Sequence, residues 1–351
     1  MIVTFPHMGY LYIPVKALFD DLNVPVIIPP PVNNKTLEIG TLLAPETACL
    51  PMKINLGNYI QSIEKGADTI VLTGSCGPCR FGYYGIVEQE ILRDMGYNVD
   101  VVILDTPGHD PRELFRRIRK ISGNRPWPRI LKAFVQASEI IEEMDKLQET
   151  FLRKRPREFT AGETDKMQSK FENDALQCIG SKEIMTLIKL YKEKAENIPE
   201  RVGVNPIHIG LVGEIYTLIE PYVNLNVEKR LGKLGVHVHR GITLRDWVKT
   251  HLSLDFKYKR LRKEKINKAA NYLNLCIGGH AWETIASTVY YAEMGLDGVV
   301  QILPFGCMPE IVAESILPSI SKDFDVPAMT LTVDELTGEA GYVTRIEAFI
   351  D

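Results

Sequence analysis

Apolar positions recur at two spacings along this chain. Through the first ~125 residues, short β-branched runs alternate with stretches of three-to-four periodicity. Ile2 to Phe5 reads as a strand and Tyr10 to Leu22 as a helix. Val24 to Ile28 is β-branched and stops at Pro29-Pro30-Pro31. A helix is expected from about Pro51 to Lys65 and a strand from Thr69 to Thr73. A helix over Tyr83 to Met95 and a strand over Val99 to Leu104 complete the pattern. Such alternation predicts an open, mostly parallel α/β sheet.

Between residues 126 and 203 the period is helical throughout. Ile130, Phe134, Ala137, Ile141 and Met144 recur every three or four positions, as do Ile184, Leu187, Ile188, Tyr191, Ala195 and Ile198. Long amphipathic helices follow from this spacing. The polar stretch RKRPREFTAGETDK between them reads as a loop with a solvated basic run. From residue 204 strands return at Pro206 to Val212, Val236 to His239, Gly298 to Leu303 and Ala328 to Val333. Helices are expected over Leu225 to Leu234, Lys257 to Leu273, Pro309 to Ile320 and Thr344 to Phe349.

The two α/β stretches share one order of parts. TIVLT leads into a cysteine loop, a helix and the strand of NVDVVIL; GVVQILP leads into FGC, a helix and the strand of VPAMTL. The expected fold is α/β: two Rossmann-like domains with parallel sheets, 1–125 and 204–351, joined by a helical segment, 126–203. Pseudo-symmetry between the two domains fits this order.

Composition narrows the class. The chain has 351 residues, 45% apolar and 25% charged, with net charge −4. That profile is globular and gives no reason to expect nucleic acid or an anionic membrane as partner. MIVTFPHMGY lacks a basic region followed by an apolar core, so no signal peptide is expected. No apolar run approaches the ~20 residues of a membrane helix. A cytoplasmic location is expected, and six cysteines there favour metal or redox chemistry over a disulfide framework.

Three cysteines share a local setting. Cys49-Leu50-Pro51 and Cys307-Met308-Pro309 both read Cys-x-Pro. Proline suits the first helical position, where its missing N–H is not needed, so each cysteine is placed just before a helix. Cys79, after Gly77-Pro78, precedes a helix too. Helix N-termini present unsatisfied N–H groups and partial positive charge, which stabilise thiolates and other anions. Cys79 and Cys307 also follow apolar strands, and open α/β sheets bind ligands beyond the carboxyl ends of their strands. Two such domains facing each other would hold one thiolate-ligated iron–sulfur cluster in the cleft. Two other readings of Cys76-Gly77-Pro78-Cys79 stay open. A thioredoxin-type dithiol normally has Trp where Ser75 stands, and structural zinc normally needs a second CxxC. Cys178 and Cys276 read as buried, unreactive thiols.

Taken together, ACLPMK, GPCRFGYYG, GGHAWETI, PFGCMPEIVAESILP and DELTGEAGYVTRIEAF resemble the acyl-CoA dehydratase activase-related proteins. Those belong with the 2-hydroxyacyl-CoA dehydratase, benzoyl-CoA reductase and double-cubane cluster proteins. The resemblance covers most of the chain apart from the helical middle. It implies Rossmann-like domains around a [4Fe–4S] cluster, with Cys49, Cys79 and Cys307 as ligands. Cys76 is the extra ligand that would close the site and make it a pure electron carrier. An [8Fe–9S] double cubane held by six cysteines is the alternative the resemblance allows. It further implies low-potential electrons from a partner ATPase of the actin/sugar-kinase superfamily, with a homologous second subunit or a second copy of this chain completing the assembly. No Asp-Gly-rich phosphate loop of that superfamily and no GxxxxGK[ST] motif occurs, so the ATPase is expected to be separate. Two rivals are a non-catalytic scaffold for the activase and a dithiol oxidoreductase using Cys76 and Cys79.

Other residues carry weaker readings. Gly278 and Gly279 would let backbone approach a phosphate, a CoA tail or the cluster, or simply form a tight turn. His280 reads as a proton donor or as a helix-capping histidine. Arg80 and Lys53 would offset cluster charge, or form surface ion pairs. His237 and His239 share one face of a strand, and a metal there wants a third ligand. Lys257, Lys259, Arg260, Arg262, Lys263 and Lys265 read as a solvated helix face, with docking of an acidic partner second. Glu310 and Glu339 read as helix caps.

Overall fold

Two parallel sheets, of three and four strands, organise the chain in a computed structural model that describes residues 1–74, 79–104, 111–251 and 256–351. The chain is α/β and Rossmann-like in both parts. It divides into two compact units: Met1–Ile141 with Cys178–Met185, and Glu142–Gln177 with Thr186–Asp351. The helical middle is thus shared between them.

In the first unit β1 (Val3–Thr4) is followed by α1 (Tyr12–Leu22), α2 (Asn34–Leu43) and α3 (Leu50–Ile63). Then come β2 (Thr69–Thr73), α4 (Phe81–Asp94), β3 (Asp100–Leu104), α5 (Pro111–Ile121) and the first part of α6 (Trp127–Lys154). The sheet order is β1-β2-β3, with Val3 opposite Thr69 and Thr69 opposite Asp100. The expected strand at Val24 to Ile28 reduces to one bridge, Val26 to Val3. Val3 N donates to Pro25 O (2.9 Å) and Ile27 N to Val3 O (2.8 Å), and no more. Pro25 and Pro29 to Pro31 have no N–H, so the ladder cannot extend. Val3, Phe19, Leu22, Val71, Val102 and Ile130 fill one side of this sheet. Tyr59, Ile60, Ile70, Leu72 and Leu92 fill another core.

Helix α2 has a local cause that hydrophobic period alone does not reveal. Asn33 and Thr36 form a reciprocal capping box that starts it. It then packs backbone to backbone on α3. A Cβ built at Gly40 would fall onto the Lys53 carbonyl, and one at Gly57 onto the carbonyl of Thr36. Only glycine permits that approach. It leaves α3 almost entirely buried, from Leu50 through Ser62.

The second unit takes the rest of α6, then α7 (Glu163–Gln177) and most of α8 (Gly180–Glu196). It continues with β4 (Ile207–Gly213), α9 (Ile215–Ile219), α10 (Val227–Lys233) and β5 (Val236–Arg240). α11 (Leu244–His251), α12 (Phe256–Lys268) and α13 (Ala281–Glu293) lead to β6 (Gly298–Pro304). α14 (Met308–Phe324), β7 (Ala328–Val333) and α15 (Glu339–Ile350) close it. The order is β5-β4-β6-β7, all parallel, so the chain reverses direction across the sheet between β4 and β6. At that point a Cβ on Gly213 (φ +135°) would fall onto the Ile302 carbonyl, so glycine lets the strand ends stay close.

The basic loop at residues 153–157 is not a solvated run. Lys154 and Arg155 are buried. Lys154 pairs with Glu200 (2.6 Å), and Arg155 with Asp165 (2.9 Å) and the Gln168 side chain. Glu200 lies far beyond the loop and Asp165 at the start of α7, so local polarity could not show the burial. Among the described residues, no helix is long and apolar enough to cross a membrane.

Candidate functional site

In the first unit two helix starts meet around two cysteines. Cys49 has extended backbone (φ −70°, ψ 155°) and is the N-cap of α3, with Pro51 in the first turn. Cys79 lies two residues before α4 and just past the carboxyl end of β2. The starts are tied by side chains. The Cys49 sulfur is 2.8 Å from the Tyr84 hydroxyl, in the first turn of α4. Arg80 Nη1 donates to the Thr47 carbonyl (2.8 Å), fixing the Cys79 loop to the segment before Cys49. Both thiols are half-buried. Lys53, one turn into α3, is not a surface residue: it is 2% exposed, and its Nζ donates to the Glu46 carbonyl at 3.2 Å. Burial, then the Cys49 sulfur, pushes the Tyr84 hydroxyl far above the usual phenol range.

The second unit repeats the order. Cys307 follows β6, has extended backbone (φ −75°, ψ 97°), and is the N-cap of α14 with Pro309 in the first turn. His280, half-buried, is the N-cap of α13. Gly278 (φ +80°) and Gly279 (φ +57°) form the left-handed turn before it. A Cβ at Gly279 would stand 2.7 Å from Pro309 Cγ, so this turn lies against the first turn of the Cys307 helix. The starts of α13 and α14 are locked below by a buried carboxyl. Glu310 accepts from Thr284 Oγ1 (3.0 Å) and Gln301 Nε2 (2.9 Å), and Gln301 Oε1 accepts from Thr330 (3.1 Å). Burial pushes the Glu310 carboxyl up to about 8, with Gln301 and Thr284 pulling the other way. In the first unit Glu88 of α4 is fully buried beside Asn55 of α3 and is likewise pushed up to about 8 by burial.

The expected placements resolve as follows. Cys49, Cys79 and Cys307 all stand at helix entrances, and Cys49 and Cys79 belong to one unit, Cys307 to the other. Cys76 lies outside the described residues. Cys178 sits between α7 and α8, half-buried, and its carbonyl accepts from Lys16 Nζ (2.6 Å). Cys276 is exposed, not buried, because it stands in the short connection ahead of the Gly278-Gly279 turn, outside both neighbouring helices. Three basic residues of α12 pair within its unit: Arg260 with Glu264, Arg262 with Glu283 and Lys268 with Glu293. Tyr84 and Thr284 lie inside GPCRFGYYG and GGHAWETI without a role legible there, Glu88 and Gln301 belong to no motif, and only packing reveals what the four do. Sequence reading also left His237 and His239 without a third histidine beside them, and His208 on the neighbouring strand stands there.

Comparison with protein-family models and with curated proteins gives no match for this chain.

Proposed function

We propose that the chain is an iron–sulfur protein of the 2-hydroxyacyl-CoA dehydratase and reductase type, with Cys49, Cys79 and Cys307 as cluster ligands. The donor chemistry fits: each thiol stands at a helix start, where backbone N–H groups and partial positive charge favour an anionic thiolate–metal assembly. When bound, a cubane cluster supplies one-electron transfer at low potential, here to a substrate, with the electron arriving from a separate ATP-hydrolysing activase. Around it the chain's own side chains do the positioning. Arg80 holds the two cysteine loops of the first unit together, and Tyr84 hydrogen-bonds the Cys49 sulfur. Gly278 and Gly279 present bare backbone, and His280 at the α13 start is the candidate proton donor.

The observation that carries this reading is the paired helix start of Cys49 and Cys79, recurring around Cys307 in the same strand-cysteine-helix-strand order. Anaerobic purification with iron and acid-labile sulfide analysis, followed by electron paramagnetic resonance after dithionite, tests it. The expected product is brown, contains iron and sulfide in equal amounts, and gives a cluster signal on reduction. A colourless, iron-free chain under those conditions would refute it.

A further inference from the structure

Three imidazoles converge in the second unit. In a parallel pair, residues in register point to the same face. His208 of β4 is in register with His237 of β5. His239, two residues further along β5, returns to that face. Its own register partner is Gly210, which has no side chain, and the Tyr291 ring occupies the space a Cβ would need. The cluster is therefore bounded by an aromatic wall, itself pinned by Tyr291 Oη donating to the Arg240 carbonyl (2.7 Å).

The three rings are close enough to share one ion. One ring nitrogen from each lies within 4.8 Å of the others. His208 Nδ1 and His239 Nε2 are 2.9 Å apart, and the His237 and His239 ring centroids are 4.4 Å apart. His237 Nδ1 is buried with no hydrogen-bond partner. Tetrahedral zinc at 2.0–2.1 Å needs nitrogens about 3.4 Å apart, so rotamer adjustments of up to about 1.5 Å from separations within 4.8 Å suffice.

The geometry assigns His208, His237 and His239 as a three-histidine site for a zinc-class divalent cation with an open fourth position. Imidazole donors without thiolate or carboxylate suit zinc and its late first-row neighbours, and three histidines plus one open position is the catalytic rather than the structural arrangement. Arg153 at the end of α6 and Arg157 in the loop after it add positive charge around His237, and the Asp297 carboxylate accepts the His208 backbone N–H (2.7 Å). Arg153 already bonds Glu196 (2.5 Å), and Arg157 donates to the Arg153 carbonyl (2.8 Å). This site stands on its own residues and does not depend on the iron–sulfur reading.

Full-length chain labelled with 15N-histidine and stripped by chelator tests it. The chain has seven histidines. One equivalent of Zn2+ is expected to shift three imidazole 15N sets and leave the other four unchanged. His237→Gln should weaken binding by at least about tenfold, since even indirect ligand partners contribute that much. Thermal unfolding of the metal-free variant checks that it folds. Three outcomes overturn the assignment: no histidine signal moves in the wild-type chain, the shifts fall on other histidines, or they persist unchanged in the folded His237→Gln chain.

Discussion

The Cys49 sulfur and the Tyr84 hydroxyl lie 2.8 Å apart, joining the first turns of α3 and α4. Tyr84 also receives the Cys49 backbone N–H at 3.4 Å. One phenol therefore fixes both ends of the residue proposed as a cluster ligand. Tyr84→Phe keeps the ring packed and removes both bonds. About 1 kcal/mol of stability should be lost in urea denaturation. In the iron-loaded chain the midpoint potential should move to more negative values, because hydrogen bonds to ligand sulfur favour the reduced state. A redox titration followed by electron paramagnetic resonance reads that shift.

Single cysteine-to-serine variants divide the six thiols. Cys49→Ser, Cys79→Ser and Cys307→Ser should each lose most of the iron. Cys178→Ser and Cys276→Ser should keep it, since neither is among the proposed ligands. Cys76→Ser distinguishes a closed four-cysteine site from an open one. Iron content after anaerobic purification, with folding checked by circular dichroism, decides each case.

Stability should fall as pH rises from mildly acidic to mildly basic. Burial pushes Glu88 and Glu310 both up to about 8, well above the usual carboxylate range, so the folded chain holds their protons more tightly than the unfolded chain does. Their contribution is complete below the unfolded carboxyl range and is lost as pH climbs through the folded value. Each contributes a slope of up to about 1.4 kcal/mol per pH unit inside that window. Asp145, pushed up to about 6 by burial, acts in the same direction. Carboxylates held low by lysines, such as Glu142 and Glu143, act only at more acidic pH. The double variant Glu88→Gln/Glu310→Gln should flatten the dependence, as melting temperatures between about pH 5 and pH 8 would show.

Gly57→Ala should be costly where an ordinary helical Gly→Ala is not. Its Cβ would meet the Thr36 carbonyl of α2, and backbone cannot yield as a flexible side chain can. Overpacking of this kind costs about 1–3 kcal/mol. Gly341→Ala in α15, with nothing within 4 Å of its Cβ, should be neutral or stabilising by up to about 1 kcal/mol. Paired urea melts of the two variants check the contrast.

Much of this protein was legible in one dimension. Strand and helix periods fall where hydrophobic side chains must alternate or recur every three to four residues, so β2, β6, β7 and α14 stand close to where the pattern places them. The Cys-x-Pro pairs also carry their own answer, because proline's fixed φ and missing N–H suit a first helical turn; Cys49 and Cys307 are both N-caps. What tertiary structure alone decided are pairings between residues distant along the chain. The burial of Lys154 and Arg155 depends on Glu200 and Asp165 arriving from other elements. Glu310 is neutralised by complete burial between α13 and β6, which no helix-start rule contains. His208 stands 29 residues before His237, and only the β4–β5 register brings them side by side. Period and capping are local forces written into neighbouring residues, whereas register and desolvation are set by whichever distant surface closes over them.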